Sequence, residues 1–474
     1  PGGATVASLL AHDGYKVLVV DKNQKVGGRM VTINKDGFAY EMFPINCVPR
    51  DNSLFEKLSK TLGKENKVNL ILSSEFGKIG DLYYEDEKGI VRTWSLGSSY
   101  IKLLKTLGVK LYNIKGIINT IRVLKKLATL KEHEIEKLYD ISALDYINSL
   151  PKLPKGVFTY FLCTFAEGAF EMTPDKVTAG DMVKMFQLTM NGSGGRYYEG
   201  GIGYFFEQMI KTVEENNGKI LMNTRVEKIN IENNKVVGIT TNKNETYFAP
   251  IIISSAGIRQ TILKLVGENK FKNEYVDRIK NYEHNLACVG FRYFVDKPVL
   301  NTPMLVYYPN GGVATWTEFE KMARGEIKPT TNYIYIGTTS LYPNMSPENK
   351  QVIYAVMSCL PDPKIDVKPY LEYIENRAKK IVPQLYDGSI YKTEIMTPAT
   401  VVAFGNDIIM EKQGGESYGI ANTVGQSGNK RPDGTTPVNG LYIVGNDAAG
   451  FGLGTHQAVD SAFNVRKLII DKIT

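Results

Sequence analysis

One order of residues constrains this 474-residue chain more than any other: Pro1-Gly2-Gly3, a run of small residues, a turn at Asp13-Gly14, the apolar run Val17-Leu18-Val19-Val20, and Asp21 closing it. A dinucleotide-binding unit needs a strand, a G-x-G-x-x-G turn, a helix, and an acid at the tip of the second strand about twenty residues on. Everything after the second glycine of that series is present. Gly3 stands as the third glycine, and Ala4, Ala7 and Ala11 keep the helix slim where it meets a sheet. The helix start at Gly2 and Gly3 offers unpaired N–H groups and the positive end of its dipole to a pyrophosphate, while Asp21 is set to take a ribose hydroxyl. The first strand and first glycines of the unit are expected to precede Pro1.

A second glycine pair follows at once, in Lys25-Val26-Gly27-Gly28-Arg29-Met30-Val31-Thr32. Two glycines let the backbone approach a bound nucleotide closely, and Arg29 carries a fixed fork of donors suited to phosphate oxygens. Near the other end, "NGLYIVGNDAAGFGLGTHQAV" reads as a strand over Leu441 to Val444, a glycine-rich turn, and a helix from about Thr455. Between them, "RYYEGGIGYFFEQ" gives a glycine turn and a helix, followed by two strands bent at Asn233-Asn234, and "IIISSAG" gives a strand ending at Ala256-Gly257.

These elements, in this order, resemble those of a large flavoprotein group. The Lys25–Thr32 stretch is similar to the group's R-x-G-G-R-x-x-S/T element, with Lys25 in place of the first Arg. Amine oxidases, phytoene desaturases, retinol saturases and the Rab GDP-dissociation inhibitors share it. The chain is identified as a member of this superfamily, most like the phytoene desaturase, carotenoid isomerase and retinol saturase branch. The resemblance implies non-covalent FAD held by Gly2, Gly3, Asp21, Lys25, Gly27, Gly28, Arg29 and Met30. It implies that Val226 meets the adenine through its backbone and that Ala256 and Gly257 return toward the cofactor. Gly445 and either Asn446 or Asp447 would serve the ribityl chain, and Gly454, Thr455 and His456 open a helix aimed at the flavin pyrimidine edge, where its dipole favours negative charge. His456 is a site residue or only a polar residue of the helix start. "GFAYEMFPINCVP" resembles the pattern F-x-F/Y-D/E-x-G-P, with Phe38, Tyr40, Glu41 and Pro44 matching. Phe43 stands where glycine is usual, so its ring either crowds the isoalloxazine or turns into the core.

The expected fold is α/β: a discontinuous Rossmann-type FAD-binding domain over residues 1–75, 195–270 and 395–474, with a substrate side made of a helical region, 76–194, and an antiparallel sheet, 271–394. The runs "LACVGFRYFV", "TPMLVYYP", "NYIYIGTTS" and "QVIYAVMSCL" are rich in β-branched and aromatic residues, as strands require. Cys47, Cys163, Cys288 and Cys359 form no C-x-x-C pair, which argues against a zinc or iron-sulfur site, so no metal is expected. The absence of any cysteine beyond Cys359 removes a C-terminal cysteinyl-flavin link. No apolar run reaches the roughly twenty residues of a membrane span.

The net charge of +7 is concentrated: Lys102, Lys105, Lys110, Lys115, Arg122, Lys125, Lys126 and Lys131 occupy 101–131 with no acid among them. Interleaved leucines and isoleucines make this an amphipathic stretch that can rest on an anionic membrane, or a helical subdomain with solvated lysines. Nucleic-acid binding is not expected, since no reader motif accompanies the charge. The expected location is the cytoplasm, with peripheral contact at the inner face of its membrane.

The resemblance implies hydride transfer at a C–C bond of a long apolar, isoprenoid or carotenoid-like substrate: desaturation, saturation or isomerisation. With one nucleotide fingerprint only, the electron donor or acceptor is expected to be external: a quinone, oxygen or a redox protein. Glu167, Glu171, Tyr197, Tyr198, His456 and Phe43 are the candidates for catalysis, none of them assigned a role. Two alternatives remain, a flavin amine oxidase and a prenyl or lipid carrier like the Rab GDP-dissociation inhibitors; Asp21, Gly27-Gly28-Arg29 and the Gly450–Gly454 turn argue against the carrier.

Overall fold

The computed structural model describes the chain except residues 44–52, 73–74, 76–78, 191–195, 310–311, 331, 406, 411–412, 449 and 474; Pro44 and Cys47 lie outside the described residues. The first helix, Gly2–His12, is buried along most of its length and packs between the helix Ile202–Glu215 and the C-terminal helix Gly454–Ile473. Its slim alanine side allows this, with Ala4, Ala7, Ala11, Phe205, Met209 and Val459 in one core. Strand Leu18–Val20 pairs in parallel with Lys219–Leu221, and Ile252–Ser254 pairs in parallel with Leu441–Ile443. The bend read at Asn233-Asn234 joins Val226–Glu232 to Lys235–Thr241, and both asparagines take the left-handed conformation that such a two-residue turn requires.

The substrate side is built on a seven-stranded sheet in the order Ile390–Met396, Ala287–Val295, Gln351–Cys359, Ile334–Gly337, Met304–Tyr308, Asp81–Glu85, Val91–Ser95. All four strands read in the sequence are there, but the sheet is mixed. Met304–Tyr308 runs parallel to Asp81–Glu85, so a hairpin from the region expected to be helical completes the sheet. Gln351–Cys359 is buried at every position, which explains its unbroken apolar run where a half-exposed strand would alternate. One face carries the helices Trp316–Ala323 and Lys368–Ile381. Beyond the hairpin, helices from Tyr100 to Met190 gather around Leu82, Tyr84, Trp94, Val306 and Tyr308.

Glu41 ties two distant segments of the nucleotide side together. Its buried carboxylate accepts from the Tyr197 hydroxyl, from Ile202 N–H (2.8 Å) and from Thr32 Oγ1 (3.1 Å), and Thr32 Oγ1 in turn accepts from Gly203 N–H (3.0 Å). A Cβ on Gly201 or Gly203 would fall 2.2 Å and 2.4 Å from atoms of Thr32, so this crossing demands glycine. The matched Thr32, Glu41 and glycine motif thus locks the start of Ile202–Glu215 to the strand pair Thr32–Lys35 and Phe38–Glu41. Tyr197 is committed to this lock.

Candidate active site

A single cavity of about 1170 Å³ runs from the start of the first helix to the seven-stranded sheet, and takes in a groove walled by Val6, Leu10, Val19 and Ile253. At the nucleotide end it is lined by Gly2, Gly3, Asp21, Gly27, Gly28, Arg29, Met30, Val226, Ala256 and Gly257, and further along by Gly445, Asn446, Asp447, Gly454 and Thr455. Lys25, Tyr198 and His456 do not line it. Lys25 is exposed, and the wall at this turn is made by Lys22 instead. Tyr198 packs on Phe55 and Phe205, and His456 lies 5.7 Å from Phe55, ring to ring, where burial lowers its pKa.

Glycine is needed here for contact as well as for conformation. A Cβ on Gly2 would sit 2.8 Å from Gly445 Cα, so the helix start and the turn after Leu441–Ile443 meet backbone to backbone. Gly27 has φ +116° and its Cβ would lie 2.4 Å from the Met30 carbonyl oxygen; Gly28, at φ +58°, faces open space. Asp21 accepts from Asn23 N–H (2.8 Å), and burial raises its pKa despite that bond.

The charged groups divide unexpectedly. Arg29 donates to the Tyr418 carbonyl (2.8 Å) and to Glu416 (2.7 Å), with Asp407 at 3.5 Å. Burial would raise the pKa of Glu416, but the Arg29 charge beside it holds it below the usual range. Arg29 lines the cavity while in this pair, and Lys22 and the helix start also face the cavity. Asp447 is likewise committed: its two oxygens accept from Ile258 N–H (2.9 Å) and Ile420 N–H (2.8 Å). Asn446 Oδ1, in contrast, is buried without a hydrogen-bond partner. Of the two residues left open for the ribityl chain, Asn446 is the one with a free acceptor at the wall.

At the sheet end the wall is formed by Phe43, Gly168, Glu171, Cys288, Met304, Tyr333, Tyr335 and Val356. Phe43 thus borders the cavity, although it also packs with Met42 and Val401. Glu171 follows a widened, π-helical turn, Cys163–Glu167, and adopts a left-handed φ of 45°, an uncommon conformation for a side-chain-bearing residue. It is held by Leu286 N–H on its carbonyl (2.7 Å) and Ser358 Oγ on its carboxyl (2.8 Å). Burial pushes its pKa up to about 7. One turn earlier, Glu167 is wholly buried with neither carboxyl oxygen hydrogen-bonded; burial, then the neighbouring Glu171, push it up to about 8. Among the described residues no cluster of His, Cys, Asp and Glu could hold a metal ion, and Cys163, Cys288 and Cys359 are free and buried.

Lys22, Asp407, Glu416, Tyr333 and Tyr335 escaped the reading of the sequence. Nothing local marks them: Asp407 and Glu416 meet Arg29 across nearly the whole chain, and the tyrosines are placed by the sheet.

A Rossmann-type unit built from distant parts of the chain thus opens through one cavity onto a mixed sheet. The chain belongs to the flavin containing amine oxidoreductase family, whose profile matches residues 2–465. Curated relatives include a 4,4'-diapophytoene desaturase (4,4'-diapolycopene-forming) of Methylomonas sp, 23% identical over 321 residues, 63% of this chain and 60% of the relative. A phytoene desaturase (neurosporene-forming) of Cereibacter sphaeroides is 23% identical over 56% of this chain and 53% of its own length. Prolycopene isomerase 2 of an Oncidium hybrid cultivar is 25% identical over 53% and 42%. The matches span about half of each relative's length. Among solved structures, a putrescine oxidase superposes with a TM-score of 0.70 at 12% identity (99% and 97% covered), and a Rab GDI from Plasmodium falciparum with 0.55 at 13% (98% and 95%). These share the fold.

Proposed function

We propose that the chain is an FAD-dependent oxidoreductase acting on a C–C bond of a long apolar, isoprenoid-type substrate. The observation that carries this reading is the cavity, whose glycine-walled end and apolar sheet end are continuous. The residues present fit the cofactor: two backbones meet at Gly2 and Gly445 where a side chain would intrude, and the buried Asn446 Oδ1 lacks a partner. Relatives named as desaturases and isomerases of such polyenes support the substrate class.

FAD, when bound, supplies a hydride acceptor or donor. Asp21 and the first helix would hold its nucleotide half, and Asn446 its ribityl chain. The helix beginning at Gly454 presents N–H groups that favour negative charge beside it. Met304, Val356 and Phe43 exclude water from the sheet end. Glu171, poised near neutrality, takes up or returns the proton that leaves or joins the neighbouring carbon. Binding is non-covalent in this reading, and electrons pass to or from a quinone, oxygen or a redox protein.

Anaerobic visible spectroscopy tests it. The purified protein is expected to be yellow, and its flavin bands to bleach, or re-form after reduction, when an acyclic polyene of the phytoene type is added in detergent. Bleaching by a diamine but not by the polyene would transfer the reading to the amine oxidases. A colourless protein carrying lipid would transfer it to the carriers.

A further inference from the structure

The helix Ile114–Thr129 has two apolar stripes, and the core uses one. Gly116, Thr120, Val123 and Leu127 are buried. Ile114, Ile118 and Ile121 repeat at the same i, i+4, i+7 spacing two residues out of phase, about 200° around the helix at 3.6 residues per turn. They point outward, and with Tyr100, Ile101, Leu111 and Tyr112 they make seven large apolar side chains between 42% and 77% exposed within residues 100–121. A helix that serves only as a core element places polar residues on that side.

The side chains around them are cationic. Lys102, Lys105, Lys110, Lys115, Arg122, Lys125 and Lys126 are all exposed, none is in an ion pair among the described residues, and the segment holds no acid. Lys110 lies 5.5 Å from the Tyr112 ring, extending beside the apolar tip. Unpaired cations around exposed aliphatic and aromatic tips complement an anionic lipid surface, where the apolar groups enter the acyl boundary and the lysines remain among headgroups. A second copy of the chain would have to bring seven further cations against these.

The location adds a second observation. The helix Tyr100–Thr106, which carries Tyr100 and Ile101, packs on the hairpin strand Val91–Ser95. Tyr160 packs against Tyr308 (5.5 Å between ring centres), Tyr308 against Tyr333 (5.7 Å), and Tyr333 borders the cavity. A row of aromatic side chains thus runs from the helical region, at Tyr160, to the sheet end of the cavity.

We infer that residues 100–126 form a docking face for an anionic bilayer, which sets the sheet end of the cavity toward the lipid from which an apolar substrate is drawn. The role in substrate supply rests on the function proposed above; the docking itself does not. Flotation of the full-length protein with vesicles separates the two. Vesicles of phosphatidylcholine containing roughly a third phosphatidylglycerol are expected to carry the protein, with much weaker recovery on phosphatidylcholine alone and on raising the salt. The triple variant Ile114→Asp, Ile118→Asp, Ile121→Asp should bind about tenfold or more weaker. Lys115→Glu with Arg122→Glu should weaken binding only to the anionic vesicles. All these side chains are exposed, and an unchanged melting temperature checks the fold; Tyr112→Asp, in the turn before the helix, provides a second probe. Equal flotation of wild type and the triple variant overturns the inference, as does the absence of flotation. Lipid-free sedimentation showing a wild-type dimer that the triple variant abolishes would assign the face to self-association instead. Failure of flotation with a polyene-responsive flavin would remove the docking and leave the proposed reaction standing.

Discussion

Glu167 gives the most demanding test of the buried chemistry, because its environment makes a quantitative claim about pH. The carboxyl is fully buried, lacks a hydrogen-bond partner and titrates near 8, against 4.5 for an unperturbed glutamate. Its folded pKa lies above its unfolded one, so its contribution is harmless below about pH 4.5 and is lost progressively as pH rises toward 8. Each pH unit in that window costs the native state about 1.4 kcal/mol, since the unfolded chain releases a proton that the native chain retains. From pH 5 to pH 8 this amounts to about 4 kcal/mol. With an unfolding entropy of about 2 cal/mol/K per residue, a chain of this length shifts its melting temperature by about 1 °C per kcal/mol. Glu167→Met keeps a similar volume and removes the titrating group. The two proteins should melt within about a degree of each other at pH 5, and the variant should melt about 4 °C higher at pH 8, in a thermal series followed by circular dichroism. Parallel curves across that range would refute the claim that Glu167 is held protonated without a partner.

Four further outcomes follow from the same geometry. Glu41→Ala strands the Tyr197 hydroxyl and Ile202 N–H, and should cost about 3 kcal/mol or more in chemical denaturation; a loss below about 1 kcal/mol would show that the lock is not structural. Gly27→Ala should abolish flavin retention on gel filtration, whereas Gly28→Ala, with open space beside it, should lose about 1 kcal/mol of stability and keep the cofactor. Asn446→Leu should weaken flavin binding about tenfold while Asp447→Asn mainly lowers the melting temperature; the reverse pattern would exchange their roles. In the proposed reaction, Glu171→Gln should remove a limb near pH 7 from the rate profile, and a profile that keeps this limb would take Glu171 out of proton transfer.

What the sequence disclosed and what it withheld divide along physical lines. Glycines that must meet another backbone, the Asn233-Asn234 bend and the apolar strands Ala287–Val295 and Gln351–Cys359 are encoded where they act, so local pattern sufficed. The hairpin Asp81–Ser95 was missed, although it alternates and turns at Lys88-Gly89, because its partner Met304–Tyr308 lies more than two hundred residues away. The same distance hides the pairing of Arg29 with Glu416. Burial of Glu167 and Glu171 was equally invisible: their segment reads as an ordinary polar-flanked helix until the π-helical turn and the sheet enclose it.

This division bears on how the molecule works. The nucleotide end of the cavity is made of backbone and is therefore specified tightly by glycine, leaving little freedom to vary without losing the fold. The sheet end is made of side chains: Tyr335, Met304 and Val356 on strands, with Phe43 and Tyr333 just beyond strand ends. Side chains there can change at small structural cost, and the solved structures that share the fold include a putrescine oxidase and a Rab GDI. A carboxyl without a counter-cation is the exception at that end. It is costly at neutral pH, and a carboxyl held off its usual range at a cavity wall is a candidate for ligand chemistry. Glu171 fits that description, and with burial it raises the proton affinity of Glu167, one turn deeper.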